Sequence, residues 1–182
     1  MSLTVAPNVI DRLKSLAGPG GWSDDADRLA PKLTEWRGRW TGVTPILMLP
    51  RTTADVAAIV ALCARTGTPI AVQGGNTGLV GGQIPDGEVL VSLERLNQVL
   101  KVDPIDDSLT VEAGVTLTAA NEAALAAGRR FPLGLASEGS CTIGGNIATN
   151  AGGTSVLRFG NMRDLVLGLE AVLPDGSIWN SL

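Results

Sequence analysis

The stretch Gln73–Gly82, QGGNTGLVGG, joins five glycines to Gln73, Asn76 and Thr77 without a single charge. Glycine admits positive φ and lets a backbone approach a ligand with no Cβ in between. Consecutive main-chain N–H groups in such a loop form a concave nest that suits phosphate oxygens. The familiar nucleotide motifs do not fit. A GxxxxGK[ST] loop needs a lysine that is absent here. A GxGxxG fingerprint should run into a helix, with an acidic residue about 20 positions later. Phosphate held here would rest on main-chain amides alone. The competing reading is a plain glycine-rich connection between strands.

A second region, Glu138–Gly153 (EGSCTIGGNIATNAGG), repeats this chemistry with Gly, Ser, Thr and Asn. A polar, irregular segment flanked by apolar strands must find partners for many backbone groups. Two such segments in one chain suggest two jaws around an extended polar ligand. Arg158 and Arg163 follow closely and could balance anionic charge, or stand as solvated surface residues.

Composition narrows the chemistry. The 182 residues are 45% hydrophobic and 18% charged, enough apolar material for one medium domain or two small lobes. A net charge of −4 argues against a nucleic-acid or membrane-surface partner. There is no histidine, hence neither the commonest general base nor the commonest metal ligand. Cys63 and Cys141 form no CxxC pair, as expected of a reducing compartment. The N-terminus lacks a secretory signal pattern, and no apolar run reaches membrane-span length. The expectation is a soluble, cytoplasmic protein.

The elements that must position the loops can be read from periodicity. NVIDRLKSLAG predicts a helix with Asn8 as cap, Val9, Leu13 and Leu16 on one stripe, and Gly18 as terminator. The following segment to Trp40 has no sustained period and reads as an irregular arm, with Trp36 and Trp40 as anchors. PILMLP is a strand. RTTADVAAIVALCARTG is a helix capped at Thr52 or Thr53, with Val56, Ile59, Val60 and Cys63 inward and Gly67 as stop. TPIAVQGG and EVLVSLERL are further strands, so this part predicts a parallel βαβ unit. Beyond it, NQVLKVDPIDDSLTVEAG reads as two antiparallel strands and TLTAANEAALAAGRR as a helix. LVLGLEAVLPDGSIWNSL reads as a hairpin turning at 174–176. The fold class is α+β, a small parallel βαβ lobe followed by a more antiparallel α+β lobe. The boundaries are 1–45 for the helix and arm, 46–98 for the first lobe and 99–182 for an incomplete second lobe.

PRTTADVAAIVALCARTGTPIAVQGGNTGLVGG together with PLGLASEGSCTIGGNIATNAGG resembles the FAD-binding domain of the vanillyl-alcohol-oxidase type. Within it, the nearest look is that of the FAD-linked D-2-hydroxy acid dehydrogenases, which act on D-2-hydroxyglutarate, D-lactate or glycolate. The resemblance implies that Gly74, Gly75, Asn76, Thr77, Gly78 and Leu79 wrap the FAD pyrophosphate. It implies further that Pro132, Gly139, Ser140, Ile143, Gly144, Asn146, Thr149 and Asn150 line the adenosine, pyrophosphate and flavin-proximal side. FAD would be held non-covalently. Cys141 could attach a flavin or serve as a small buried thiol.

The resemblance also implies a flavin-dependent oxidoreductase that converts a D-2-hydroxy acid to the 2-oxo acid and passes electrons to an acceptor. Its catalytic and metal residues would lie beyond residue 182, in a substrate domain absent from this chain. The chain itself then offers no catalytic and no metal residue, and is expected to be an N-terminal fragment, inactive alone. The alternative is a non-catalytic nucleotide-binding module built on glycine-rich backbone nests.

Overall fold

The computed structural model describes residues 4–182. In chain order the elements begin with α1 (Pro7–Ala17), β1 (Trp22–Ser23), α2 (Ala26–Leu33), β2 (Leu47–Met48), α3 (Thr53–Thr66), β3 (Ile70–Gln73) and β4 (Val89–Ser92). They continue with β5 (Val99–Asp103), β6 (Ser108–Val111), α4 (Leu117–Ala126), α5 (Ile143–Ala148), α6 (Val156–Phe159), a 3-10 turn (Met162–Leu165), β7 (Glu170–Val172) and β8 (Ile178–Asn180). The class is α+β, as the sequence predicts. The chain divides into two compact units. One holds everything up to Arg95 together with Gly168–Leu182, and the other holds Leu96–Leu167.

The first unit is organised by β4. The sheet order is β1-β2-β4-β3, with β4 parallel to both β2 and β3 and β1 antiparallel at the edge. Thus β4 inserts between the two strands joined by α3, rather than adding outside them. Parallel strands covered on both faces read as unbroken apolar runs, and Val89, Leu90 and Val91 are all buried. Val89 and Val91 pack with Val9 and Leu13 of α1 and with Ile59, Leu62 and Cys63 of α3. Leu90 turns the other way, toward Leu29 of α2, Leu47 and Leu49.

Helix α3 shows why its boundaries are legible. Thr52 Oγ1 accepts from Asp55 N at 3.1 Å and the Asp55 carboxylate accepts from Thr52 N at 3.0 Å, a reciprocal capping box. Gly67 closes the helix in the left-handed region at φ 63°. Of the expected inward residues, Ile59 and Cys63 are buried together with Leu62, whereas Val56 and Val60 are only half-buried. Burial pushes the Cys63 thiol up to about 11.

Three local expectations are corrected. Ala6, not Asn8, occupies the cap position of α1, because Pro7 starts the helix where its missing N–H is harmless. The arm after α1 is irregular only in part, since β1 and α2 lie within it. Asp25 accepts from Asp27 N at 2.8 Å and Arg28 N at 3.1 Å, which nucleates α2 despite Pro31. Trp36 does not anchor the arm, being 67% exposed with the Arg37 guanidinium 5.0 Å from its ring centre.

The second unit pairs β5 and β6 antiparallel, with an irregularity between Val99 and Lys101. Its core gathers Val115, Leu117, Ala120, Leu133, Cys141, Ile143 and Met162. The hairpin β7–β8, assigned from sequence to the second lobe, instead belongs to the first unit. It packs on α3, where Thr53 Oγ1 donates to Glu170 Oε1 at 2.6 Å. The division around Ile59 and Val60 gives a direct test. Ile59→Ala should cost about 2–5 kcal/mol by the shift of the urea midpoint, and Val60→Ala clearly less.

Candidate cofactor site

Strand β3 ends at Gln73, and the chain leaves the sheet at the carboxyl end of a parallel strand, where α/β folds bind ligands. Residues 74–78 are half-buried and Leu79 is exposed. Among the described residues, the backbone N–H groups of Gly74, Gly75, Asn76, Thr77, Gly78 and Leu79 meet no acceptor. Half-buried main-chain donors are normally paired. A contiguous run of six without a protein acceptor, five of them on half-buried residues and the last on exposed Leu79, is an uncharged donor set that fits a pyrophosphate.

Side-chain amides hold this loop. Asn76 sits in the left-handed region at φ 53°, and its Nδ2 donates to Thr34 O at 3.0 Å and Pro31 O at 3.2 Å. Gln73 Nε2 donates to Lys32 O at 2.9 Å and Gln83 O at 3.1 Å. Gln83 Nε2 donates to Gly78 O at 2.9 Å and Asn76 Oδ1 at 3.2 Å. Gly81 adopts φ 78°, and a Cβ there would lie 2.8 Å from the Trp40 ring. Trp40, expected to anchor the arm, is 49% exposed and instead lies with its ring against Gly81 of the loop.

The expected residues of the second unit separate into two sets. Ile143, Gly144 and Asn146 lie on α5 and face inward. Ile143 N donates to Val115 O and Gly144 N to Ala113 O, both at 2.9 Å. A Cβ on Gly144 would lie 2.7 Å from the Ala113 Cβ, so glycine is required by close packing. Asn146 is buried, and its Nδ2 donates to the buried Cys141 Sγ at 3.5 Å. Gly139 and Ser140, by contrast, are exposed in the turn before α5, and the Gly139 N–H has no acceptor among the described residues. Pro132 is half-buried in the preceding extended segment. At the far end of α5, Thr149 Oγ1 donates back to Gly145 O at 2.9 Å, and Asn150 Oδ1 accepts from Arg163 N at 3.0 Å.

Arg163 is exposed, yet it spends two of its donors on the main chain. Its Nη2 donates to Ala148 O at 2.8 Å and its Nε to Ile147 O at 3.1 Å, closing the carboxyl end of α5. Arg158 stacks over Phe159 at 5.3 Å.

Sequence reasoning missed Gln83 and Glu35. Glu35 is buried by its own turn, where its carboxylate accepts from Arg39 N at 2.7 Å and Arg37 N at 2.8 Å. Its main chain closes the same turn, with Glu35 N donating to Trp40 O at 3.1 Å. The acidic residue two and four places before two arginines was the only signal. Burial pushes the Glu35 carboxyl up, but those two amides and the Arg37 and Arg39 charges prevail and hold it below its ordinary value. A depressed carboxylate adds stability above its unfolded pKa, and that stability is lost as pH falls through the folded one. Glu35→Gln should therefore destabilise the chain near neutrality. In thermal melts, the gap to wild type should narrow as pH falls below the ordinary carboxylate range.

Comparison with known proteins places the chain among flavoprotein relatives. The chain is 42% identical over 165 residues to the D-2-hydroxyglutarate dehydrogenase, mitochondrial, of Bos taurus, covering 90% of this chain and 30% of the relative. It is 40% identical over 174 residues to the probable D-2-hydroxyglutarate dehydrogenase, mitochondrial, of Oryza sativa subsp. indica, covering 95% and 31%. The chain thus spans about a third of the length of the curated relatives it matches. An alkyldihydroxyacetonephosphate synthase structure shares the fold with a TM-score of 0.86 at 21% identity, covering 98% of this chain and 34% of that one. The cytoplasmic expectation does not stand. These relatives are mitochondrial by name, and the lack of a secretory signal pattern never bore on that compartment. No helix among the described residues is long and apolar enough to cross a membrane. The family described as FAD binding domain matches residues 44–181, most of the chain and both glycine-rich segments. The chain belongs to that family, and FAD is its cofactor.

Proposed function

We propose that this chain is the cofactor-holding part of a flavin-dependent dehydrogenase that oxidises a D-2-hydroxy acid to the 2-oxo acid. D-2-hydroxyglutarate is the first candidate substrate and D-lactate the second. The observation that carries the reading is the identity of about two residues in five with D-2-hydroxyglutarate dehydrogenases along nine-tenths of the chain. The donor array at residues 74–79 supports it from the chemistry side.

In this reading the N–H groups of Gly74, Gly75, Asn76, Thr77, Gly78 and Leu79 receive the FAD pyrophosphate. Neutral amides suit that role because they stabilise anionic oxygens without a counter-charge that would have to be desolvated. In the second unit Gly139 and Ser140, exposed in the turn before α5, carry the open polar groups, while Pro132 precedes that turn and Thr149 and Asn150 stand at the other end of α5. Ile143, Gly144 and Asn146 act from behind by fixing α5. Attachment is non-covalent, since the Cys141 thiol is buried and engaged by Asn146. Bound FAD supplies the acceptor for the hydride leaving the substrate Cα, while the hydroxyl proton departs separately. The residues of this chain bind and orient the cofactor. The group that takes the proton and the electron acceptor lie outside it.

Full-length protein should purify with the two visible absorption bands of oxidised flavin. D-2-hydroxyglutarate should bleach the longer-wavelength band anaerobically, while its L enantiomer should not. Colourless protein that takes up no added FAD would refute the reading. Gly75→Val should remove the bound flavin while leaving the far-ultraviolet circular dichroism unchanged, because a branched side chain would stand where the pyrophosphate rests.

A further inference from the structure

The six unpaired N–H groups at residues 74–79 raise a physical problem. A flexible glycine loop would fold back and satisfy them on its own carbonyls. Here two carbonyls that could serve that purpose are already engaged, Gly78 O and Gln83 O, each by a glutamine amide. The remaining restraints come from elsewhere in the chain. Asn76 is held in its left-handed conformation by the carbonyls of Pro31 and Thr34, and Gln73 is tied to Lys32 O. Those carbonyls belong to the carboxyl end of α2 and to the residue just after it. The turn closed by Glu35 then carries Trp40 onto Gly81. All of these supports precede residue 44, where the match to the FAD-binding family begins.

Gln73 also carries a cost. Its Oε1 is buried with no partner among the described residues. A buried unsatisfied acceptor is unfavourable, so the amide is not explained by strand packing, which an apolar side chain at the end of β3 would serve better. Its Nε2, joining α2 to the loop, is the part that works.

We propose that residues 25–41 are a working part of the pyrophosphate cradle, with Gln73, Asn76 and Gln83 as positioning residues that transmit the placement of α2 to the loop. The inference rests on the pyrophosphate assignment above. The arm sets the loop's shape and the loop leaves its amides for the cofactor. Removing the restraint lets those amides pair internally and lowers affinity for a ligand that needs them. A ligand without a pyrophosphate is unaffected.

The test compares FAD with riboflavin, which lacks the pyrophosphate, by fluorescence titration of full-length protein stripped of flavin. Gln83→Met keeps the side-chain volume and removes both donations. Asp25→Ala removes the cap of α2, far along the chain from the loop. Each should weaken FAD binding about tenfold, the worth of one or two hydrogen bonds, and leave riboflavin binding unchanged. Equal weakening of both ligands would mean a general loss of structure and would overturn the proposal, as would unchanged FAD affinity. Should Gln83→Met fail to fold, Asp25→Ala decides alone by the same criteria. Wild-type protein that does not prefer FAD to riboflavin would instead refute the pyrophosphate assignment itself.

Discussion

The structure of the first unit turns on an unusual constraint, a backbone whose donors find no protein acceptor and that still keeps one shape. Main-chain amides out of full solvent normally pair within secondary structure. Between Gly74 and Leu79 they do not, and rigidity has to come from another source. It comes from three carboxamides. Gln73, Asn76 and Gln83 together give six hydrogen bonds, five of them to main-chain carbonyls and one to Asn76 Oδ1. Side-chain amides suit this task because they donate twice from one nitrogen and bring no charge to the loop. Acidic side chains at these positions would repel the pyrophosphate proposed for the loop.

The sheet beneath sets where that loop begins. Because β4 is buried on both faces and lies between β2 and β3, the carboxyl end of β3 is fixed in register, with Gln73 opposite Ser92. The apolar layers on either side come from α1 and α3 on one face and α2 on the other. Helix α2 therefore serves twice, burying Leu29 against Leu90 and lending its last carbonyls to the loop. Within the second unit, α5 shows the same economy. Ile143 and Gly144 hold the helix to Val115 and Ala113, Asn146 ties it to Cys141, and the Gly139 N–H in the preceding turn is left without an acceptor among the described residues.

Much of this was legible in the chain. The α3 boundaries follow from a capping box and a left-handed glycine, both local signals, and the strands follow from short apolar runs between prolines and glycines. The legible part of the site was its donor-rich composition and its position after a strand. Other features were not visible. Helix α2 was hidden because Pro31 breaks the pattern and only one of its residues, Leu29, is buried. Helix α5 was hidden because two glycines and an asparagine disguise a six-residue turn. Val60 and Ile59 look equivalent in sequence, yet only the packing of α1 and β4 decides which of them is enclosed.

Composition and spacing carried the chemistry. A histidine-free, acidic chain with two glycine-rich segments, charged only at Glu138, can hold a phosphate on backbone amides, and the order of its strands and helices placed the first segment at a sheet's carboxyl edge. Tertiary structure alone decided which amides are available. Gly144 and Gly75 are the same residue in similar company, but the N–H of one is taken by Ala113 and that of the other is not. The reason is that hydrogen-bond pairing depends on which distant carbonyl is brought within 3 Å or so, and no local pattern encodes that distance. The carbonyls of Pro31, Lys32 and Thr34 lie some forty residues before the amides they receive. Their meeting is a property of the packed sheet and helix, not of any stretch that can be quoted from the chain.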